Sequence, residues 1–513
     1  MIGRCNAAAL VGVDACPVGI EVHVSGRGEQ SMISIVGLPD AAVRESRDRV
    51  RAALNSCGLP SPRGEAVVNL APADLKKEGG AFDLGIVLAL LAAQNAVPGD
   101  RLARCMVLGE LALDGKVRSV RGVLPSAICA AGNDAVEMLM VPAGNVREGV
   151  LGAGGKPVLP VESLLEAVDY FRNGGGIAPA SGGIEEYCAA NAEREPDFSE
   201  VKGQYLARRA MEIAAAGGHN SLMIGPPGTG KSMIARRTAG ILPPMTAKEV
   251  LETSRIHSAL GLLSDGKPLL NRRPFRAPHH TISDAGLVGG RQSPVPGEIS
   301  LAHNGVLFLD EFPEFRRNVL EMLRQPLEDG EITISRAAGS CTFPARFMLI
   351  AAMNPCPCGM GDAANGCRCK PDEKKRYLKK ISGPLLDRID LHVEVLHLTE
   401  DELLSAPSGE SSAAIRERVI AARAVQTARF AGLSNIHCNA HMTSRELQTF
   451  CRLTASGAAL LRRAITQFRL SPRAYDRILK VARTIADLSG APDIAEEHLF
   501  EAINYRRGLN EEI

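Results

Sequence analysis

Short apolar runs alternate with helical stretches in the first third of this chain. The runs have the length and β-branched content of strands, and the longer stretches have the spacing of amphipathic or buried helices. This alternation predicts an α+β domain over residues 1–172, followed by a glycine-, proline- and serine-rich linker over residues 173–196. The predicted strands lie at residues 20–24, 32–36 and 66–70, and the predicted helices at residues 41–57 and 84–96.

The pattern changes twice more after the linker. Residues 197–398 alternate apolar strands with helices, which predicts an α/β core. Residues 399–513 are almost entirely helical, with charged amphipathic stretches at residues 413–430 and 471–488. We therefore predict an α/β core that carries a helical C-terminal domain.

A phosphate-binding loop is the most specific motif of the chain. An apolar strand precedes it and a helix follows, which is the context that gives the pattern G-x-x-x-x-G-K-[ST] its meaning. Glycines let backbone N–H groups surround a phosphate chain, Lys231 neutralises the outer phosphates, and Ser232 binds Mg²⁺. The motif predicts ATP as cofactor, and its residues are Gly225, Pro226, Pro227, Gly228, Thr229, Gly230, Lys231 and Ser232.

Two later strands end in polar residues that suit an ATPase. Residues 306–309 lead into Asp310, a ligand for Mg²⁺, and Glu311, a general base, although two solvated acids after a strand are the alternative. Residues 347–353 lead into Asn354, which would orient the attacking water. Arg388 is a candidate finger for a neighbouring subunit's γ-phosphate, and Arg473 begins a helix of the third block. Ordinary surface arginines are the alternative for both.

Four cysteines lie within fourteen residues in a glycine-rich loop. Their spacing is C-x-C-x₈-C-x-C, tighter within each pair than most zinc sites. A structural Zn²⁺ site is our prediction. A reduced loop without metal and a redox-labile pair remain alternatives, and four thiolates leave no open position for catalysis. The residues are Cys356, Cys358, Cys367 and Cys369.

Charge and composition narrow the possible partners. The chain has 59 basic and 58 acidic residues, a net charge of +1, so nucleic acid would be bound through a local patch or through contacts repeated in a ring. The 13 cysteines are mostly scattered, which favours a reducing compartment. The sequence contains no run of 18 apolar residues, so it predicts no membrane span. Residues 1–15 superficially resemble a signal peptide, but Asp14 interrupts them, and we expect a buried first strand and a cytoplasmic protein.

The order of these motifs resembles that of an AAA+ ATPase. Residues 273–281, 296–305 and 352–359 resemble more narrowly the magnesium-chelatase-like ComM (YifB) family of bacteria, and the resemblance extends over the whole chain. It implies a ring, six subunits being the expected size, that acts as a DNA motor or helicase. The family's role is branch migration during natural transformation, with recombination proteins as further partners. A magnesium-chelatase ATPase subunit that drives a partner enzyme is the alternative.

The resemblance also implies two loops that face the pore of a ring. One is an insert in helix 2, expected within residues 281–296. The other is a hairpin before the sensor strand, with strands at residues 331–336 and 342–346 and a turn at residues 337–340. Arg336 beside this turn is the candidate DNA contact, and a solvated charge at the strand end is its alternative.

The first block resembles the Lon protease domain. The segments that carry this resemblance are residues 75–85, 109–115 and 120–125. Asp83 stands where that family has its nucleophilic serine, and no lysine occurs between residues 117 and 155, so protease activity is not implied. A DNA-binding or ring-stabilising scaffold is the expectation. A basic face was one form of it, with a solvated helix surface as the alternative, and its members are Arg44, Arg47, Arg49, Arg51, Lys76 and Lys77.

Overall fold

A computed structural model of the chain describes most of its residues. The described residues are 2–25, 32–183, 196–263, 268–290, 294–336, 339–361, 366–398, 409–433, 436–468 and 470–506. Within them no helix is long and apolar enough to cross a membrane.

The first block forms a mixed sheet of seven strands with helices packed against it. The strand order is β3-β4-β2-β1-β5-β8-β9, in which β1 pairs antiparallel with β2 and parallel with β5. The segment Ile2–Val11 is thus a strand of this sheet, as expected. The strands are β1 Ile2–Val11, β2 Asp14–Val24, β3 Met32–Val36, β4 Glu65–Ala71, β5 Cys105–Val107, β6 Glu110–Leu111, β7 Val117–Arg118, β8 Met138–Pro142 and β9 Val158–Val161. The helices are α1 Ala41–Ser56, α2 Asp83–Ala93, α3 Gly99–Leu102, α4 Val123–Ala131, α5 Val146–Gly152 and α6 Leu164–Asn173.

Two of the six cations expected on a basic face of this block, Arg49 and Lys77, instead make hydrogen bonds within the block. Asp83 is fully buried and accepts hydrogen bonds from Nε of Arg49, at 2.6 Å, and from Oγ of Ser46. A buried charge needs such partners, so Asp83 joins α2 to α1. Lys77 is also fully buried, and its ammonium donates to the carbonyl of Pro72. The cations of the expected face that are exposed are Arg44, Arg47, Arg51 and Lys76.

The second block contains a parallel five-stranded sheet in the order β11-β14-β17-β10-β18. Every residue of β14 and β17 is buried, as parallel strands covered on both faces require, which explains their unbroken apolar sequences. The strands are β10 Ser221–Ile224, β11 Phe275–Arg276, β12 Gly289–Gly290, β13 Val295–Pro296, β14 Val306–Leu309, β15 Glu331–Arg336, β16 Gly339–Pro344, β17 Met348–Met353 and β18 Leu391–Glu394. The helices are α7 Tyr205–Gly217, α8 Lys231–Thr238, α9 Ala247–Ala259, α10 Asp284–Val288, α11 Glu298–Leu301, α12 Arg317–Glu321, α13 Arg324–Asp329, α14 Pro371–Leu378 and α15 Gly383–Leu386.

The C-terminal part is helical and is joined to the sheet by buried polar contacts. Nδ1 of His219 lies 3.2 Å from Oδ2 of Asp390, and its Nε2 lies 2.8 Å from Oγ1 of Thr484. Burial alone would raise the pKa of Asp390, but Arg477 and His219 outweigh it and hold that pKa well below its usual range. The helices are α16 Ser412–Arg429, α17 Ser444–Phe450, α18 Ala455–Phe468, α19 Pro472–Leu488 and α20 Glu496–Asn504. The predicted α/β fold with a P-loop core and a helical C-terminal region is confirmed.

The expected hairpin is present, with a tighter turn than the sequence suggested. β15 pairs antiparallel with β16, and the register places Arg336 opposite Gly339, so the second strand begins at Gly339 and not at residue 342. Residues 337–338 of the turn lie outside the described residues. The side chains of Ile332 and Ile334 are buried, as the alternation predicted. In the expected insert, α10 is followed by the short pair β12–β13, and residues 291–293 between them are not described.

The first block contacts the second at the base of this hairpin. Val13, in the turn between β1 and β2, is buried in the same apolar cluster as Phe343 of β16. A second contact joins Oγ of Ser258 on α9 to Oε2 of Glu148 on α5, at 2.5 Å. The two blocks therefore share buried apolar and polar contacts.

Candidate functional site

Three parallel strands end around one cavity of about 730 Å³. β10 leads into Gly225, β14 into Asp310, and β17 into Asn354, because the carboxyl ends of parallel strands meet at one edge of a sheet. The cavity is in the size range of pockets for small molecules. Its lining residues from the predicted site are Pro227, Gly228, Thr229, Gly230, Lys231, Ser232, Asp310, Glu311 and Asn354.

The loop between β10 and α8 has the backbone of a phosphate cradle. Gly228 and Gly230 have φ of +82° and +88°, a region that side chains disfavour. Lys231 opens α8, and its Nζ donates to the carbonyls of Gly225, at 2.6 Å, and Pro226, at 2.7 Å. Burial lowers the pKa of Lys231, and Asp310 partly opposes that effect. A buried ammonium ion whose hydrogen-bond partners are neutral oxygen atoms is suited to phosphate oxygens.

A hydroxyl and a carboxylate form the candidate Mg²⁺ site. Oγ of Ser232 donates to Oδ2 of Asp310 at 2.5 Å, so two hard oxygen ligands point to one place. Mg²⁺ is bound in proteins by few such ligands, with water and phosphate oxygens completing its shell. The residues present therefore fit a magnesium nucleotide.

Glu311 is held by a residue that the sequence analysis did not single out. Its backbone has φ of +51°, unusual outside glycine, and its side chain is 57% exposed. Nδ1 of His280 lies 2.9 Å from Oε2 of Glu311. The ring of His280 packs against that of His279 at a tilt of 35°, with 4.1 Å between the ring centres, and both residues line the cavity. The paired histidines in residues 273–281 were a signal, but their distance from Glu311 in sequence concealed the contact.

The third strand end adds an amide that reaches the same lysine. Oδ1 of Asn354 lies 3.4 Å from Nζ of Lys231, at the outer limit of a hydrogen bond. Arg236 on α8 also lines the cavity and was not predicted. Gln204, just before α7, donates to the carbonyls of Leu396, at 2.7 Å, and of Thr229, at 3.4 Å. It thereby ties the loop to the end of β18.

The two candidate arginines lie together, away from the cavity of their own chain. Arg388 is 4% exposed and donates to the carbonyl of Pro384, at 2.6 Å, and to Oε1 of Glu328. The hydrogen bond from Arg388 lowers the pKa of Glu328. Arg473 is largely exposed and lies 4.0 Å from the same carboxylate. Neither arginine is among the described residues that line the cavity.

The four cysteines form one compact cluster. All four sulfur atoms lie within 4.8 Å of one another, and Sγ of Cys356 is 3.3 Å from Cys358 and 3.6 Å from Cys367. A tetrahedron with Zn–S bonds of about 2.3 Å has edges of about 3.8 Å, whereas a disulfide bond is about 2.05 Å long. The backbone N–H of Met360 and neighbouring thiols lower the pKa of Cys358 to about 6, whereas the pKa values of Cys367 and Cys369, despite a backbone hydrogen bond that lowers each of them, are raised by the neighbouring thiols and by burial. The cluster, with Cys369 as its fourth member, fits a metal that prefers sulfur ligands.

Three models of the magnesium chelatase family match this chain. The model described as magnesium chelatase, subunit ChlI, matches residues 197–403. The model described as subunit ChlI of Mg-chelatase matches residues 20–145, and the model of the ChlI C-terminal region matches residues 409–506. Together they extend over all three blocks.

Similar proteins include two that match from end to end. The competence protein ComM of Haemophilus influenzae is 46% identical, covering 97% of this chain and 96% of its own length. YifB of Escherichia coli is 44% identical, covering 98% and 96%. The magnesium-chelatase 38 kDa subunit of Rhodobacter capsulatus is 27% identical over 40% of this chain and 59% of its own length. The similarity to ComM and YifB thus extends over all three blocks of the chain.

Proposed function

This chain belongs to the ComM/YifB family of magnesium-chelatase-like AAA+ ATPases, and we propose that it is a ring-forming, ATP-driven motor that moves on DNA. One observation carries the proposal: Lys231, Ser232, Asp310, Glu311 and Asn354 come from three strand ends and line one cavity. This arrangement supports hydrolysis of a nucleoside triphosphate. The name of the relative in Haemophilus influenzae, competence protein ComM, supports a role in competence.

Each residue of the cavity has a distinct part in hydrolysis. Lys231 binds the β- and γ-phosphates, while Ser232 and Asp310 hold Mg²⁺, which neutralises phosphate charge when bound. Glu311 accepts a proton from the attacking water as the bond between the γ-phosphorus and ADP breaks. Asn354 orients that water through its amide.

A ring explains the position of the two arginines. Neither Arg388 nor Arg473 lines the cavity of its own chain, yet both lie at Glu328. In our proposal the pair reaches the γ-phosphate bound by a neighbouring subunit, where a positive charge stabilises the transition state. Six subunits are the proposed size, as in the resembling family. The exposure of Arg473 supports this role, whereas Arg388 must first leave Glu328.

DNA is the proposed track of the motor. The net charge of +1 argues against tight binding by a single chain, but a ring multiplies each basic contact by the number of subunits. The hairpin β15–β16 would face the pore, with Arg336 at the end of β15 beside the turn. We propose that the motor supports branch migration in the cytoplasm during natural transformation, together with recombination proteins.

The first block is proposed to be a Lon-like domain without protease activity. Asp83, which stands at the position of the expected serine, is buried in a network with Arg49 and Ser46. The first block contacts the second through Val13 and through the bond between Glu148 and Ser258, and these contacts support a role as a scaffold. The proposed domains are residues 1–172, 197–398 and 399–513, with residues 173–196 as a linker.

We also propose that the cysteine cluster binds one structural Zn²⁺. The distances between its sulfur atoms support four thiolate ligands in a tetrahedron. The ion would close the loop between β17 and α14.

A magnesium-chelatase-type ATPase subunit is the second candidate. The descriptions of the matching family models favour it, including the one that matches residues 20–145. Such a subunit would transmit the energy of ATP hydrolysis to a partner enzyme and would not need DNA.

One experiment separates the two candidates. ATP turnover is measured for the full chain alone, with single-stranded DNA, and with a four-way junction, and Glu311→Gln serves as the inactive control. A motor on DNA predicts several-fold stimulation by DNA and movement of the junction. ATPase activity that no DNA changes, in a protein that assembles into rings, would contradict the DNA motor and leave the partner-driving ATPase.

A further inference from the structure

The cysteine loop starts directly at the nucleotide site. Asn354, at the end of β17, lines the cavity, and Cys356 follows it two residues later. Cys356 is fully buried, so the first ligand of the cluster is part of the core. The position of the sensor amide is therefore coupled through one intervening residue to the position of a metal ligand.

The same loop packs on the phosphate-binding loop. Gly359 follows Cys358, and a Cβ added to it would lie 2.8 Å from Cδ and 3.2 Å from Cγ of Pro227. It would also approach Nδ2 of Asn354 to 3.9 Å. Only a residue without a side chain permits this approach. Pro227 itself lines the cavity, so the backbone of the cysteine loop packs directly against the phosphate-binding loop.

The helix that follows the last cysteine, α14, also contacts this loop. Nζ of Lys374 on α14 donates to the carbonyl of Gly361, and the backbone N–H of Gly361 donates to Sγ of Cys356 at 3.3 Å. Tyr377, one turn further, is buried beneath the same segment. The first half of the loop thus contacts the phosphate-binding loop through Gly359 and α14 through Gly361, and the sulfur atoms join this half to Cys367 and Cys369.

We propose that Zn²⁺ on the four cysteines clamps the segment from Asn354 to Gly359 against the phosphate-binding loop, so that the metal content of this loop sets the affinity for ATP. This inference rests on the proposed zinc site and ATPase activity. A closed chelate holds Asn354 and Gly359 in place before nucleotide binds, and binding then orders fewer groups. Without the ion, Cys356 and Cys358 are no longer fixed to Cys367 and Cys369, and the contact of Gly359 with Pro227 is held less firmly.

Two glycine variants test the contact without removing a ligand. Gly359 and Gly366 have nearly equal φ values, +87° and +85°, so alanine is strained by a similar amount at each. An added Cβ meets Pro227 at Gly359 and no described atom within 4 Å at Gly366. We expect both variants to keep one zinc per chain by elemental analysis. Gly359→Ala should weaken binding of a non-hydrolysable ATP analogue about tenfold, and Gly366→Ala by less than about twofold.

A ligand variant tests the metal itself. Cys367→Ser should lower the zinc content and weaken binding of the analogue, and Cys16→Ser, outside the cluster, should change neither. Thermal melting of all four variants checks that the chain is folded. Equal nucleotide affinity in Gly359→Ala and Gly366→Ala, or unchanged affinity in zinc-depleted Cys367→Ser, would overturn the clamp while leaving the ATPase in place. Wild-type protein without zinc would overturn the metal site, and wild-type protein that does not bind the analogue would overturn the ATPase proposal.

Discussion

Nδ1 of His280 lies 2.9 Å from Oε2 of Glu311, the proposed general base, and joins two segments that are 31 positions apart. Glu311 has a strained backbone and an exposed side chain, so its carboxylate is positioned by few contacts. His280 is held in turn by a tilted ring contact with His279 and by an edge contact with Phe315, whose ring centre is 6.4 Å away. The histidine therefore directs the carboxylate toward the cavity.

We expect His280→Ala to lower kcat for ATP hydrolysis about tenfold, because a base without its positioning partner samples unproductive orientations. KM for ATP should change little, since the phosphate-binding residues are intact. Steady-state kinetics that separate kcat from KM provide the measurement.

His279→Ala is a graded comparison for this prediction. It removes one of the two ring contacts of His280, and the bond between Nδ1 of His279 and the hydroxyl of Thr281 at 2.9 Å, but it keeps the contact between His280 and Glu311, so the loss of kcat should be smaller. A normal kcat in His280→Ala would show that Glu311 needs no positioning by this ring.

Lys231→Ala and Glu311→Gln should separate binding from hydrolysis. Lys231→Ala removes the cation that faces the phosphates, so we expect nucleotide binding to be lost. Glu311→Gln keeps the Mg²⁺ ligands Ser232 and Asp310, so it should bind ATP and hydrolyse it at least about 100-fold more slowly. Calorimetric binding and single-turnover hydrolysis measure the two effects. Near-normal turnover in Glu311→Gln would assign the base elsewhere.

Mixed rings test whether Arg388 acts on a neighbouring subunit. Subunits with Arg388→Ala and subunits with Lys231→Ala are each expected to be inactive alone. Mixing them creates interfaces with an intact loop and an intact arginine, so part of the ATPase activity should return. Because Arg388 is buried on Glu328, melting temperatures must accompany the assay. Absence of rescue in rings shown to be mixed would indicate a structural arginine.

Arg336→Ala should impair DNA unwinding and spare basal ATP hydrolysis, because the residue lies at the end of β15, beside the hairpin turn. DNA binding by the wild type should strengthen with ATP-promoted assembly and weaken steeply with salt, and the variant should show a smaller salt dependence. The control is Arg104→Ala, which removes an exposed arginine paired with Glu137 on the first block. Unwinding of forked DNA at the wild-type rate by Arg336→Ala would move the contact to the insert at residues 281–296.

Lys480 predicts a pH dependence of stability. Burial, and next the charge of Arg477, lower the pKa of Lys480 to about 8, and its Nζ donates to the carbonyl of Ala440 at 2.9 Å. Below pH 8 Lys480 is charged in the folded and in the unfolded chain, and burial of its ammonium group lowers the free energy of unfolding. Between pH 8 and about 10.4 the unfolded chain binds more protons, so this group's contribution to stability rises with pH.

Lys480→Met removes that titration. The free energy of unfolding of the wild type relative to Lys480→Met should therefore rise by about 1 kcal/mol per pH unit between pH 8 and pH 10. Urea unfolding of both proteins at pH 7, 8, 9 and 10 provides the measurement. A constant difference across this range would mean that Lys480 has an ordinary pKa.

The spacing of apolar residues within short segments predicted helices and strands whose formation depends mainly on local sequence. The helices at residues 41–57 and 471–488 agree with Ala41–Ser56 and Pro472–Leu488, and the apolar runs became strands of the two sheets. The turn of the hairpin was predicted too long, because cross-strand pairing and not residue type sets its register. The basic face included Lys77 and Arg49, since a helix surface in sequence does not reveal which side a neighbouring carboxylate covers.

The sequence alone predicted roles for Lys231, Ser232, Asp310 and the four cysteines, because those predictions depend on residue type at short spacing. Contacts between distant segments came only with the tertiary structure. The pairing of His280 with Glu311, the approach of Gly359 to Pro227, and the meeting of Arg388 and Arg473 at Glu328 each join residues from separate segments. The physical reason is that burial of apolar surface packs strands and helices from distant parts of the chain together. The polar residues that meet as a result have no regular spacing in the sequence, so their contacts cannot be predicted from it.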